Sequence, residues 1–433
     1  MIIHNHFDVN EKGNLTIGGA DAVELAKQFG TPAYIIDENV VRENCRKYLR
    51  AAKCHFGADA LPLYASKALC FTGMYKLAAE EGMGIDCVSG GELFTAKRAG
   101  FPAERIYFHG NNKTDRDIKD AMDMGVGRFV VDNLDELDAV SKEASARGIT
   151  QGILLRITPG IDPHTHRAVM TGNIDSKFGS AIATGQAMEI VKKALASDGI
   201  DLVGLHCHIG SQIFDLDPFS DAARIMTRFI ADIKRECAYE VRELNLGGGF
   251  GVRYTEEDGE IDYEDAIADI AKIVRSYCYE NGINMPRVIL EPGRSLVAAA
   301  GATLYTVGSV KQIPNFRNYV SVDGGMPDNP RYALYQSRYT ALIANKAAEA
   351  RDFCTTIAGR CCESGDLIGE NMMIQTPARG DILAVLVTGA YNYSMASNYN
   401  RIPRPPVIMV KDGEARVAVK RETYEDLVRN DIL

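Results

Sequence analysis

The stretch MGIDCVSGGELFTAKRAGFPAERIYFHGN, residues 83–111, carries a complete strand–helix–strand pattern. MGIDC and RIYFH are short apolar runs. Between them GELFTAKRAG sets apolar residues at helical spacing and stops at Gly100. A reactive side chain closes each strand, Asp86 in one and His109 in the other. The same pattern repeats on both sides. PLYASKA (62–68) precedes it, and RFVVDN (128–133), GILLRITPG (152–160), LVGLHCHIG (202–210), ELNLGGGFG (243–251) and RVILEPGRS (287–295) follow. Helix-like segments such as LDELDAVSKEASARG (134–148) separate them.

Eight strands, each followed by helical sequence, predict an α/β fold of the (β/α)8, TIM-like barrel type. An open doubly wound sheet would show fewer strands before the pattern stopped. Strand after strand ends in a chemically useful group: Lys67, Asp86, His109, Arg156, His208, the Gly247–Gly249 turn and Glu291. Barrel active sites lie at the C-terminal ends of the strands, so these groups are expected to ring one mouth. That convergence points to an enzyme.

Beyond Arg294 the pattern changes. NYVSVDGG, DILAVLV and PPVIMVKDGEARVAV read as antiparallel strands, KDGEA as a hairpin turn, and ETYEDLVRNDI as a last helix. GNLTIGG and TPAYIIDE near the start are also strand-like. The expected organisation is a barrel over 37–294 and a β-sandwich or β-barrel domain built from 1–36 and 295–433.

With 433 residues, 46% hydrophobic and 24% charged, the chain is long enough for both parts. A net charge of −10, without a run of Lys or Arg, argues against a nucleic-acid surface. MIIHNHFDVNEKG lacks the layout of a signal peptide, and SLVAAAGATLYTVGSV is too short and polar to span a bilayer. Ten scattered cysteines with no Cys-x-x-Cys pair fit reduced thiols in a cytoplasm.

Lys67 raises the sharpest chemical question. An ammonium at the end of a core strand is costly to desolvate, which makes it either an exposed accident or a nucleophile. The glycines of LNLGGGFG read as a turn that opens a helix and lets an anion approach the backbone; a plain tight turn is the simpler alternative. EPGRS brings Gly293 and Arg294 to the same mouth, where late barrel strands often hold phosphate. Glu291 is either half of a buried ion pair or the partner of a protonated ring nitrogen. His206 and His208 alternate on one strand, so a metal pair is conceivable, but no third ligand stands at workable spacing and no metal is expected. A nucleophilic lysine, a phosphate cradle, a carboxylate for a ring nitrogen and a flat imidazole together suit pyridoxal 5'-phosphate, and Lys67 is then expected to be buried, with a depressed pKa that makes it a better nucleophile.

YASKA, GIDCVSGGEL, FHGNNKT, HTHRAVMTGNIDSKFG, GLHCHIGSQ, LNLGGGFG, EPGRS, DGGMPDNPRYALY, CESGD and GAYNYSMASNYN occur here in that order, over nearly the whole chain. In them the sequence resembles the diaminopimelate decarboxylases. These belong to the barrel-type (fold-type III) pyridoxal-phosphate enzymes, which include ornithine decarboxylase and, more distantly, alanine racemase. The resemblance implies decarboxylation of meso-2,6-diaminopimelate to L-lysine, the last step of lysine biosynthesis. It implies that Lys67 carries the cofactor as a Schiff base, that His208 stacks on its ring and that Glu291 pairs with the ring nitrogen. Ser211, Gly247, Gly248, Gly249, Gly293, Arg294 and Tyr391 match the groups around the phosphate. Arg294, Arg331 and Tyr335 match those that hold a substrate carboxylate, with Tyr391 also at the substrate. Glu363 matches a contact to the far ammonium group. Cys362 matches the proton donor, supplied to the other subunit of a homodimer. Tyr332 stands where the family often has proline, and Cys361 is an added thiol.

Other readings stay open on residues alone. The same chemistry could serve ornithine, arginine or carboxynorspermidine, although an arginine for a far carboxylate weighs against ornithine. A racemase would usually set arginine against the ring nitrogen, where Glu291 stands. A non-catalytic pyridoxal-phosphate carrier, or a Schiff-base lyase without cofactor, would leave the C-terminal third unused. The polar, glycine-containing segment 164–179 reads as a lid.

Overall fold

The computed structural model describes residues 4–162 and 176–432, so most of the expected lid lies outside the described residues. The chain divides into two compact units. One comprises Cys45–Gly251 and Glu260–Gly293; the other comprises Met1–Asn44, Val252–Gly259 and Arg294–Leu433.

The first unit is the barrel. Its strands are Leu61–Ala65, Gly84–Cys87, Ile106–Phe108, Arg128–Val131, Gln151–Thr158, Ile200–His206, Glu243–Asn245 and Arg287–Leu290. Each pairs in parallel with the next, and the last pairs with the first, so the sheet closes. Leu63, Tyr107, Val130, Leu154 and Ile289 interlock inside it, drawn from five of the eight strands and at most 2% exposed. Closure removes every sheet edge, and this apolar layer makes the interior a packed core rather than a pore. Helices separate most of the strands, and their caps are local: Ser89 accepts from the Glu92 N–H, and Asn133 from the Glu136 N–H.

One expectation fails here. The glycine run does not open a helix, because the next one begins only at Tyr263, capped by Asp262. The Asp262 carboxylate accepts from Glu264 and Asp265, and residues 252–259 first leave the barrel for the other unit. The Gly247–Gly249 turn therefore has no helix dipole behind it.

The second unit is built on a nine-stranded sheet. Along its main path run Leu367–Ile374, Phe353–Ala358, Arg317–Val322, Gly301–Ile313, Ala33–Asp37, Val407–Lys411 and Glu414–Val419. The N-terminal strand Ala33–Asp37 thus joins the C-terminal sheet, fully buried along its length. The sheet is mixed rather than antiparallel throughout. Ala33–Asp37 runs parallel to Val407–Lys411, and Arg317–Val322 runs parallel to Phe353–Ala358. Both parallel pairs are joined by long connections, as parallel pairing requires. The KDGEA hairpin forms as read: Asp412 and Gly413 both take positive φ between paired Lys411 and Glu414. Among the described residues no helix is long and apolar enough to cross a membrane.

Candidate active site

Lys67 lies in the short 3-10 turn Ser66–Ala68, directly after the first barrel strand. Its neighbours Ser66 and Ala68 are buried while Lys67 is exposed, which corrects the expectation of a desolvated amine. The reason is position: the strand ends at Ala65, and the core ends with it. Asp86 fixes this turn by accepting the Ser66 N–H at 2.9 Å. Burial pushes the Asp86 carboxyl up and Glu291 adds repulsion, while the Lys67 ammonium opposes both. Glu92, whose carboxylate accepts the Val88 N–H at 2.7 Å, is pushed up to about 7 by burial and by Asp86. The Lys67 ammonium lies near both carboxyls and lowers each of them against burial.

Glu291, 7% exposed, follows the last barrel strand and is enclosed by three side chains. Asn245 donates to Oε1 at 2.7 Å, and His206 Nε2 bonds Oε2 at 3.1 Å. His109 Nε2 lies 2.8 Å from Oε1, a close ion contact without good hydrogen-bond alignment. Burial pushes this carboxyl up, but His109 and His206 more than offset it and hold it well below the usual carboxylate range. His206, fully buried, is lowered to about 4 by desolvation, against the pull of Glu291. The sequence paired His206 with His208; the structure pairs it with His109 and Glu291, whose ligand atoms all lie within 4.8 Å of one another. That is a metal-like donor set, but its atoms already face each other at hydrogen-bond distance.

His208 is half-buried beyond the sixth strand, and desolvation with the nearby Lys67 and Arg156 charges holds it neutral. Its Nδ1 accepts the Gly248 N–H at 3.3 Å, while Asn245 takes the Gly247 N–H at 2.9 Å. A Cβ on Gly248 would meet the Glu291 carbonyl at 2.1 Å, and one on Gly249 the Gly210 carbonyl at 2.4 Å. Gly247 and Gly249 also hold positive φ. The glycines are required because three loops after neighbouring strands approach backbone to backbone. Gly293 is tight against a side chain instead, since a Cβ there would sit 2.8 Å from the Ala65 Cβ. An accessible amine, an ionised buried carboxylate, a neutral imidazole and an exposed-backbone turn in one mouth fit the donor chemistry of pyridoxal phosphate.

The second unit holds a cluster of its own. Arg294 Nη1 donates to the Tyr254 hydroxyl at 2.8 Å, and the Arg331 guanidinium lies 4.5 Å from the same ring's centre. Arg331 also donates to Tyr339 at 2.9 Å and to Ser337 at 3.2 Å. Tyr391, held at positive φ, lies under Arg294 at 4.7 Å. Burial pushes the Tyr254 phenol up, but Arg294 and Arg331 outweigh it and leave it lowered. Tyr335 ends the five-residue helix that Arg331 begins.

The chain as a whole has named relatives. Residues 41–298 match the family model "Pyridoxal-dependent decarboxylase, pyridoxal binding domain". Over its full length the chain is 48% identical to the diaminopimelate decarboxylase of Halalkalibacterium halodurans and 47% identical to that of Bacillus subtilis, covering 98% of each. A crystal structure of diaminopimelate decarboxylase from M. jannaschii with L-lysine matches with a TM-score of 0.91 at 35% identity, covering 100% of this chain and 99% of that one. The chain belongs to the pyridoxal-dependent decarboxylases.

In this decarboxylase the CESGD loop (362–366) lies between the strands Phe353–Ala358 and Leu367–Ile374. Buried Asp366 anchors it, accepting the Met326 N–H at 2.6 Å and the Cys361 N–H at 2.7 Å. Cys362 and Glu363 are exposed on it. The Cys361 thiol, by contrast, is pushed up to about 12 by burial and by Asp366. Tyr332, the departure from proline, donates to Glu370 at 2.5 Å. Sequence reasoning missed Tyr254 and Tyr339, which hold the arginines, Asn392, which bonds Tyr339, and Asn245, which holds Gly247 and Glu291. Only Asn245, next to the glycine run, carried a local signal.

Proposed function

We propose that the chain decarboxylates meso-2,6-diaminopimelate at its D-configured centre, releasing carbon dioxide and L-lysine. The similarity of the entire chain, both units included, to relatives named for that reaction carries this reading. The enzyme is a carboxy-lyase that uses pyridoxal 5'-phosphate. When bound, the cofactor supplies an electron sink for the pair left by the departing carboxylate.

The residues divide the remaining work. Lys67 would hold the cofactor covalently and release it to the incoming substrate amine. Glu291 would keep the ring nitrogen protonated and His208 would cover the ring. Ser211, Gly247, Gly248, Gly249, Gly293, Arg294 and Tyr391 would hold the phosphate. Arg331, with Tyr335 and Arg294, would bind the carboxylate that is retained, and Glu363 the far ammonium group. Cys362 would deliver the proton to the carbon that lost its carboxylate. We assign Cys362 and Glu363 to the other subunit's site in a homodimer, which their exposure supports. Ten free cysteines favour a cytoplasmic setting.

Carbon dioxide release from meso-diaminopimelate, LL-diaminopimelate, ornithine, arginine and carboxynorspermidine tests the assignment. Release from meso-diaminopimelate alone, with lysine as product, is expected. Arg331→Ala should raise KM for it about 10–100-fold, the worth of a charge-assisted hydrogen bond. Comparable turnover of a monocarboxylate diamine precursor, or an unchanged KM in the variant, would remove the carboxylate clamp.

A further inference from the structure

We infer that His109 and His206 are positioning residues, which hold Glu291 ionised and leave one acceptor position, on Oε2, for a ring N–H. The inference rests on the reading of Glu291 as the partner of the cofactor's ring nitrogen and adds the groups that set its properties.

The count of acceptor positions carries it. A carboxylate offers about four lone-pair positions on its two oxygens. Asn245 and His109 both approach Oε1, at 2.7 and 2.8 Å, whereas among the described residues His206 alone approaches Oε2, at 3.1 Å. Asn245 and His206 each hydrogen-bond one oxygen, and His109 crowds the second position on Oε1 by ion contact, so the position left open is on Oε2. The imidazoles come from opposite sides of the barrel order: His109 follows the third strand and His206 ends the sixth. Their rings meet edge to face with centres 4.8 Å apart, so neither can rotate independently of the other.

Each imidazole is itself fixed. The loop after His109 is tied down by buried Lys113, which donates to the Gly110 carbonyl at 3.0 Å, the Val130 carbonyl at 2.8 Å and Glu136 at 2.7 Å. The backbone N–H of His109 donates to the Cys87 carbonyl at 2.7 Å. His206 is 1% exposed, and among the described residues its Nδ1 has no hydrogen-bond partner. A bare ring nitrogen in an apolar setting is far less costly than a buried N–H, so His206 is neutral with its proton on Nε2, aimed at Glu291. The charged and titratable groups that also face Glu291 are Asp86, Arg156, His208 and Cys207. Asp86 opposes its ionisation and Arg156 supports it, so the two imidazoles and Asn245 decide the balance.

The experiment compares His206→Gln, which keeps a donor, with His206→Phe, which removes it, and adds His109→Gln and Glu291→Gln. Far-UV circular dichroism establishes that each variant folds. The readouts are the pH dependence of the bound cofactor's absorption and its dissociation constant from the protein, with kcat and KM alongside. His206→Phe should move the spectral midpoint by about one pH unit and cut kcat about tenfold at unchanged KM, and His109→Gln, which keeps a donor but loses the imidazole charge, should move both less. His206→Gln should restore most of both. If Glu291→Gln shifts the spectrum but no histidine variant does, the positioning role is wrong. If Glu291→Gln leaves the spectrum unchanged, the reading of Glu291 itself fails, and the inference with it.

Discussion

The barrel sheet carries a buried glutamate at each end. Glu243 opens the seventh strand, 3% exposed, and Glu291 follows the eighth, 7% exposed. Glu243 receives the Tyr107 hydroxyl at 2.9 Å and faces Arg128 at 3.1 Å and Arg287 at 3.4 Å. Glu291 faces two imidazoles and an amide instead. Guanidinium groups stay charged at any physiological pH, so the lower cluster is a fixed ion network. Imidazoles are charge-poor at neutral pH and can change state, so the upper one is adjustable. The same residue type at opposite ends of one sheet is thus built for permanence below and for chemistry above, as barrel anatomy requires.

Exchanging the two roles is the strongest way to break the comparison. Glu291→Gln should lower kcat about 100–1,000-fold while the thermal midpoint moves little, because an ionised acceptor is lost where charge develops. Glu243→Gln should do the reverse. Uncompensated guanidinium charge is expected to cost about 3 kcal/mol of stability, read as a lower denaturation midpoint, with kcat within twofold of the parent. Equal activity losses in both would mean that the lower cluster also shapes the mouth.

A pair in the second unit sharpens the contrast at the scale of neighbouring residues. Cys361 is half-buried with a raised thiol beside Asp366, while Cys362 is exposed. Cys362→Ala should reduce turnover about 100-fold, the usual worth of a positioned proton donor, and Cys361→Ala less than twofold. Turnover that survives Cys362→Ala would move the proton donor elsewhere.

The sequence showed most of the fold because closed parallel barrels write themselves plainly. Each strand is a short apolar run, with a reactive residue within one position of its end, as Asp86, His109, His206 and Glu291 illustrate. The mixed pairing of the second sheet was not legible, since direction depends on long connections and not on any local pattern. Lys67 was placed correctly in the chain but wrongly in the core, because an apolar run does not reveal where its strand ends. The His109–Glu291–His206 triad joins residues up to 182 positions apart in three strands' ends, so only closure of the barrel brings them together. Tyr254 and Tyr339 escaped for the same reason: their partners are arginines whose position the sequence does not specify.

The smallest effect concerns acid. His206 falls from its ordinary 6.5 to about 4 on folding, so below pH 6.5 the unfolded chain takes up a proton that the folded one refuses. Stability is lost over that window as pH falls, by about 2 kcal/mol at pH 5, and levels off below about pH 4. The depressed Glu291 adds to the loss only nearer pH 4, in the same direction. The Arg128 and Arg287 partners of Glu243 do not titrate there, so the lower cluster contributes no such slope from its bases. Denaturation midpoints of cofactor-free protein between pH 7.5 and 5 should therefore fall more steeply for the parent than for His206→Asn. Parallel curves would mean that His206 is already protonated in the folded barrel. Its Nδ1 would then carry a buried N–H with no acceptor, and the upper cluster would be as permanently charged as the lower.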